Sequence, residues 1–344
     1  MPFPSGIFYH AIGGVAAASF YVPFKQVKNW SWESYWLVSG VAAWLIMPLV
    51  MGYLFIPNLM DIIFQAPAKV LVLTFFFGLL WGLGGLTFGL SMRYLGISIG
   101  YAVVLGFTAT FGTLTPMIFD GSIGAIIHSS SGQMVLSGVL VCLFGIVVYG
   151  IAGKEKEQNQ GAHKGNRDFN HRKGLFVAFF SGLLSACMSF ALAAGKPIAA
   201  IAVANGVPEL WQNNAVLVVV LWGGFITNFV WCLILNFKNK SYKEYTVKKE
   251  GSSLRVNYLL SSSAGIIWYL QFFFYGMGGS LMGELDYASW TLHMTFIIIF
   301  SLFWGLYLKE WKGVGMKAKI LLGIGLVLMF ISVGLIGLAG NFHE

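Results

Sequence analysis

Few side chains in this chain could do acid–base or binding chemistry, and most of those stand in apolar surroundings. The stretch GELDYASWTLHMTF, residues 283–296, sets Glu284 and Asp286 just ahead of an apolar run and His293 inside it. On a helix, Asp286, Ser289 or Trp290, and His293 share one face. His10 sits in a second apolar run, GIFYHAIGGVAAASF, and Gln271 in a third, WYLQFFFYG. Imidazole titrates nearest neutrality, so a histidine near a carboxylate is suited to taking up and releasing a proton. The other polar candidates are Thr108, Thr110, Thr113 and Thr115, Asn228, and Ser289, Thr291 and Thr295.

The elements that must position these groups are membrane helices. Of 344 residues 57% are hydrophobic and 10% charged, against roughly 25% charged in a soluble domain. A hydrocarbon core of about 30 Å takes roughly 20 apolar residues per helix. Ten such windows stand out: 5–24, 34–56, 70–92, 97–118, 133–152, 174–195, 214–236, 257–278, 287–308 and 320–341. None holds an Asp, Glu, Lys or Arg, so all 21 basic and 13 acidic residues fall between or beyond them. The alternation of a β-barrel is absent.

The net charge of +8 does not point to nucleic acid, because of where the charge lies. Nineteen of the 21 Lys and Arg follow odd-numbered windows; only Lys69 and Lys196 do not. That bias predicts cytoplasmic odd links and both termini outside. Cys142, Cys187 and Cys232 lie in three different windows as packing residues, with no disulfide framework. MPFPSGIFYH lacks the basic start of a secretory signal, so the first window is expected to stay in the mature chain. Trp30, Trp32, Trp36, Trp211, Tyr287 and Trp311 crowd the predicted interfaces, as aromatic belts do.

The expected fold is an all-α integral membrane protein with ten transmembrane helices in two inverted five-helix repeats, 1–153 and 174–344, joined by a cytoplasmic linker, 154–173. Five helices per half is odd, so the halves must be inverted. GLLWGLGGLTFG (78–89) and GIIWYLQFFFYG (265–276) share Gly-aliphatic-aliphatic-Trp with an aromatic and a Gly seven and eight residues after the Trp. The first and sixth windows share a Gly start and a small-residue face. This is the architecture of alternating-access carriers. Gly13, Gly14, Ala17 and Ala18, then Gly78, Gly82 and Gly85, then Gly182, Ala186 and Gly195 are spaced for close helix approach. Pro23 and Pro197 close the paired first and sixth windows and are expected to bend them; Pro48 and Pro116 lie in or near helix ends.

Counted from the predicted outer ends, His10, Gln271 and His293 lie at about 8–11 Å depth, on three helices. A buried ring or amide must find a partner, so each is either a helix-to-helix tie or part of a chamber. The aromatic company of Trp81, Trp268, Tyr269, Tyr275 and Trp290 favours the chamber. Sugar rings have apolar C–H faces and polar rims, which an aromatic floor with amide and imidazole walls suits. A cationic drug would want a mid-membrane carboxylate, and no window has one. Substrate contacts are therefore expected from Gln271, Trp268, Tyr269, Tyr275, Trp290 and Trp81. Proton coupling is expected from His293, His10 and Asp286, with Glu284 and Glu33 at helix mouths. A sodium site from the threonines of the fourth window is the alternative coupling.

An intramembrane enzyme is disfavoured: no window holds an aspartate, and HExxH is absent. No metal and no cofactor are implied. A receptor or scaffold would not need polar residues at matched depth.

The stretches FYVPFKQVKNWSWES (20–34), MRYLGISIG (92–100), GKP (195–197), WYLQFFFYG (268–276), DYASWTLHM (286–294) and LKEW (308–311) resemble those of the bacterial L-rhamnose–proton symporters, in the drug/metabolite transporter superfamily. The resemblance runs from the first window to the tenth. It implies symport of L-rhamnose, or a related 6-deoxy sugar, with a proton across the inner membrane; the charge bias above then puts both termini on the periplasmic side. It transfers no site residue; those named above are read from this chain.

Overall fold

The computed structural model describes residues 2–159 and 170–342. Among these residues the structure is helical, with no strand. The first window forms α1 (Pro2–Ser19) and α2 (Tyr21–Phe24). The second forms α3 (Trp32–Gly40), a π-helical turn (Val41–Ile46) and α4 (Met47–Phe55). After a short α5 (Leu59–Gln65) come α6 (Ala68–Leu95) and α7 (Ile97–Phe119). A short α8 (Ile123–His128) leads into α9 (Ser130–Asn159). The sixth window gives α10 (His171–Ala194) and α11 (Lys196–Ala204). The last four give α12 (Asn213–Lys238), α13 (Leu254–Leu281), α14 (Ser289–Tyr307) and α15 (Met316–Ala339). Of the expected linker 154–173, residues 160–169 lie outside the described ones; α9 runs on to Asn159 and α10 begins at His171.

Nine helical stretches among the described residues are long and apolar enough to cross a membrane, and the chain is a multi-pass membrane protein. The helix of the eighth window, α13, is 28 residues long but carries Asn257, Ser261, Ser262, Ser263 and Gln271, which lower its hydropathy. Large apolar side chains such as Phe144, Phe176 and Phe330 lie exposed on their helices, as lipid contact requires.

Proline chemistry accounts for the irregular points. Pro197 follows the break between α10 and α11 at Gly195, and Pro23 follows the break between α1 and α2. Pro48 cannot donate to the carbonyl four residues back, that of Trp44, and the π-helical turn sits there. Pro116 leaves the Gly112 carbonyl without its helical donor, and Ser189 Oγ from α10 donates to that oxygen at 2.6 Å.

The principal packing partners are distant in sequence. α1 lies against α13 and α14, α10 against α6 and α7, α12 against α6 and the α3–α4 stretch, and α9 against α15. Glycines make these approaches possible. A Cβ at Gly78 would fall on the Val220 carbonyl, and one at Gly13 would come 2.8 Å from the Gln271 carbonyl. On α6 the packing face runs through Gly78, Gly82 and Gly84, the last against Ser185, whereas Gly85 has open space beside it.

Candidate functional site

α1, α13 and α14 bring His10, Tyr275 and His293 together. The imidazole centroids are 6.3 Å apart, and each lies 5.2 Å from the Tyr275 ring, edge-on. The approach is close because Gly278 leaves room for His10 and Gly13 leaves room for His293. Both histidines are fully buried. No side chain among the described residues bonds their four ring nitrogens; the His10 backbone is the polar group that lies close to the His293 ring. A buried polar group left unmet costs about 1–3 kcal/mol, so the pair adds little to stability by its polar atoms.

On the other side of Tyr275 a chamber of about 980 Å³ opens between α7, α10, α11, α13 and the turn before α14. Tyr275, Trp290 and Asp286 line it. Trp290 presents its ring alone, since its indole N–H donates to the Thr108 carbonyl at 3.0 Å. Asp286 Oδ2 is 3.1 Å from Lys196 Nζ, and its Oδ1 accepts from Ser289 Oγ at 3.3 Å. This ion pair straps α11 to the turn before α14. With Lys196 69% exposed, it is worth about 1 kcal/mol or less. Asn213, at the head of α12, donates its amide hydrogens to the Gly276 carbonyl (2.9 Å) and Ser280 Oγ (3.1 Å). Its side-chain oxygen is left as the acceptor on that wall.

The other expected substrate residues lie outside the lining of this chamber. Trp81 and Trp268 are 5.6 Å apart and pack with Trp44 and Phe272 into an aromatic block. Tyr269 is fully buried with its hydroxyl unpartnered. Gln271 is buried, with its carbonyl beside Gly13 and His293. Because α13 continues to Leu281, Gln271 lies about a turn deeper than the window boundary placed it. His10 and His293 do meet, but behind the Tyr275 wall rather than along the chamber; of Gln271 it is the backbone carbonyl that reaches the same Gly13 position as His293.

Most threonines of the fourth window are tied into helix contacts: Thr108 to the Gly182 carbonyl (3.3 Å), Thr110 to Gly106 (2.8 Å) and Thr113 to Thr291 (2.7 Å). Thr115 lines the chamber. Asn213, Ser280 and Lys196 were not expected as site residues from the sequence. The amide run Gln212-Asn213-Asn214, where the seventh window begins, is the signal that points to the first of them.

Glu33 stands far from the chamber. Its carboxylate accepts from Asn239 Nδ2 (2.9 Å) and Ser241 Oγ (2.7 Å), beyond the end of α12. Asn213 lines the chamber at the start of that 26-residue helix, so the two points are about 39 Å apart along it.

Residues 3–341 match the profile of a known family, described as RhaT, L-rhamnose-proton symport protein. The chain is 40% identical over 338 residues to the L-rhamnose-proton symporters of Salmonella paratyphi B, Salmonella newport and Salmonella typhimurium, covering 97% of this chain and 97% of each of them.

Proposed function

The chain belongs to the L-rhamnose-proton symport protein family, and we propose that it imports L-rhamnose with a co-transported proton by alternating access. It is a carrier and not an enzyme, as its relatives are named symporters over almost their whole length. The observation that carries the reading is the 40% identity across 97% of both chains. The chamber supports it: an aromatic wall of Tyr275 and Trp290 beside the acceptors Asn213 and Asp286 suits the faces and rim of a sugar ring. In this reading the sugar enters there and passes toward Trp268, Tyr269, Gln271 and Trp81 as the chamber closes. His10 and His293 carry the proton behind Tyr275, with Asp286 at the mouth.

Ten transmembrane helices in two inverted repeats, 1–153 and 174–344, belong to the same proposal, with α13 as the tenth span. The contact pattern supports it. If the first half maps onto the second helix by helix, α1 on α13 and α14 corresponds to α10 on α6 and α7. Likewise α12 on α6 corresponds to α13 on the α3–α4 stretch, and α9 on α15 maps onto itself. The charge bias supports an orientation with both termini periplasmic; the bacterial inner membrane, lipid around the helices and no nucleic-acid partner belong to the same reading.

The test is uptake of labelled L-rhamnose by de-energised cells while external pH is recorded. Uptake accompanied by external alkalinisation is expected. Uptake with no alkalinisation removes the proton; no uptake of any 6-deoxyhexose removes the sugar.

A further inference from the structure

The stretch from the end of α1 into α3, residues 19–34, is held along its whole length by the link after α12, the start of α13, and the end of α14 with the link after it. Trp304 Nε1 donates to Ser19 Oγ at 2.8 Å, and Lys25 pairs with Glu310 at 3.4 Å. The Asn257 side chain reads both backbone groups of Lys28, accepting from its N–H (3.2 Å) and donating to its carbonyl (2.8 Å). Asn29 donates to the Glu250 carbonyl at 2.9 Å. Glu244 accepts from the Ser31 N–H (2.7 Å) and hydroxyl (3.1 Å), and Lys249 holds the same carboxylate at 2.8 Å. Glu33 completes the row through Asn239 and Ser241. Glu33, Glu244 and Asn257 are all buried, and Trp30 covers the seam edge-on to Tyr245 and Tyr258.

The inverted counterpart of this segment is 194–213, after the matching break at Gly195. Its side-chain ties to other elements are fewer: Lys196 to Asp286, Asn205 to Gln65 at 3.3 Å, and Gln212 and Asn213 to α13. Lys196, Ala199, Gln212 and Asn213 line the open chamber. Two equivalent segments thus stand in opposite conditions, one sealed at one end of the molecule and one bordering a cavity at the other.

We infer that residues 19–34 are the cytoplasmic gate, latched shut in this conformation by Glu33, Glu244 and Asn257, and that releasing the latch is the step that turns the carrier inward. The inference rests on the inverted-repeat carrier reading above. In such a carrier, opening one side and closing the other are one event. If the link after α12 parts from residues 19–34 on opening, as the inference requires, the latch bonds exist in one of the two states alone and bias the equilibrium toward it.

The latch is built to hold near neutral pH. Burial alone would push the Glu244 carboxyl up, but Lys249 and the Ser31 and Ser34 donors outweigh it and hold it below the ordinary carboxylate range. A carboxyl depressed in this way contributes above its unfolded value and stops contributing only as pH falls through the folded one.

The three native cysteines are buried, so Ala194→Cys in the chamber lining can report access to a membrane-impermeant maleimide. Glu244→Ala and Asn257→Ala are expected to lower labelling in right-side-out vesicles and raise it in inside-out ones. Losing one charge-assisted tie shifts such an equilibrium by about tenfold. A reducible cross-linker joining Lys28→Cys to Asn257→Cys should stop uptake, with recovery on reduction, while outside labelling persists. Normal labelling on both faces in inserted Glu244→Ala protein overturns the inference, and so does a cross-linked carrier that still transports. If the alanine variants fail to insert, the cross-link decides. Labelling is read without sugar, and the cross-linked carrier should label only in right-side-out vesicles until reduction, so a wrong sugar assignment leaves both results intact.

Discussion

At the scale of the residue, the unusual feature is two buried imidazoles that no side chain among the described residues bonds, packed on one tyrosine that also lines the chamber. Such groups are retained against their cost where they do chemistry. His293→Ala removes an unmet polar group, so the protein should still insert at near-normal amounts. Coupled accumulation should collapse: one proton driven through 100 mV carries about 2.3 kcal/mol, and losing it lowers accumulation about fiftyfold. Accumulation and its pH profile, measured per inserted protein, check this; a wild-type profile reduces His293 to a packing residue. The sequence showed which polar side chains lay in apolar windows, because charge exclusion leaves so few. It did not show the order from chamber to histidine pair, since Tyr275 stands between them only once three helices have packed. Glu33 looked like a helix-mouth acid near the histidines because its partners, Asn239 and Ser241, are about two hundred residues away in sequence.

At the scale of the element, apolar length and charge exclusion made the helices legible, while their irregularities depend on partners the windows cannot reveal. The π-helical turn at Val41–Ile46 and the Ser189 bond to the carbonyl freed by Pro116 are of that kind. The glycine face of α6 shows the limit of spacing rules. Gly84 packs and Gly85 does not, because crossing geometry and not periodicity decides which side meets α10. Gly78→Ala would drive a methyl onto the Val220 carbonyl and should destabilise by about 1–3 kcal/mol. Gly85→Ala meets nothing within 4 Å and should be neutral or stabilising by about 0.5–1 kcal/mol, since glycine is the poorer helix former. Thermal unfolding of the two variants in detergent separates them. Equal melting temperatures would mean that the α6–α12 contact is looser than drawn.

At the scale of the whole molecule, charge, chamber and latch must agree on which side is which. Nineteen of the 21 Lys and Arg follow the odd-numbered windows, and those are the links that carry the latch: Lys25 and Lys28, Lys249, and the Glu310 link. The chamber opens at the other end, among the even links, where only Lys69 and Lys196 supply positive charge. An importer waiting for sugar needs its chamber outside and its seal inside, and the positive-inside bias supports that proposed sense independently of any residue in the site. A reporter active only in the cytoplasm, fused after Glu344, should therefore be silent, whereas the same reporter inserted after Gly251, in the basic link between α12 and α13, should be active. The reverse pattern would put the sealed face outside and the chamber inside. The described conformation would then be inward-facing, Glu244 would latch an outer gate, and the sidedness of the maleimide labelling would invert with it.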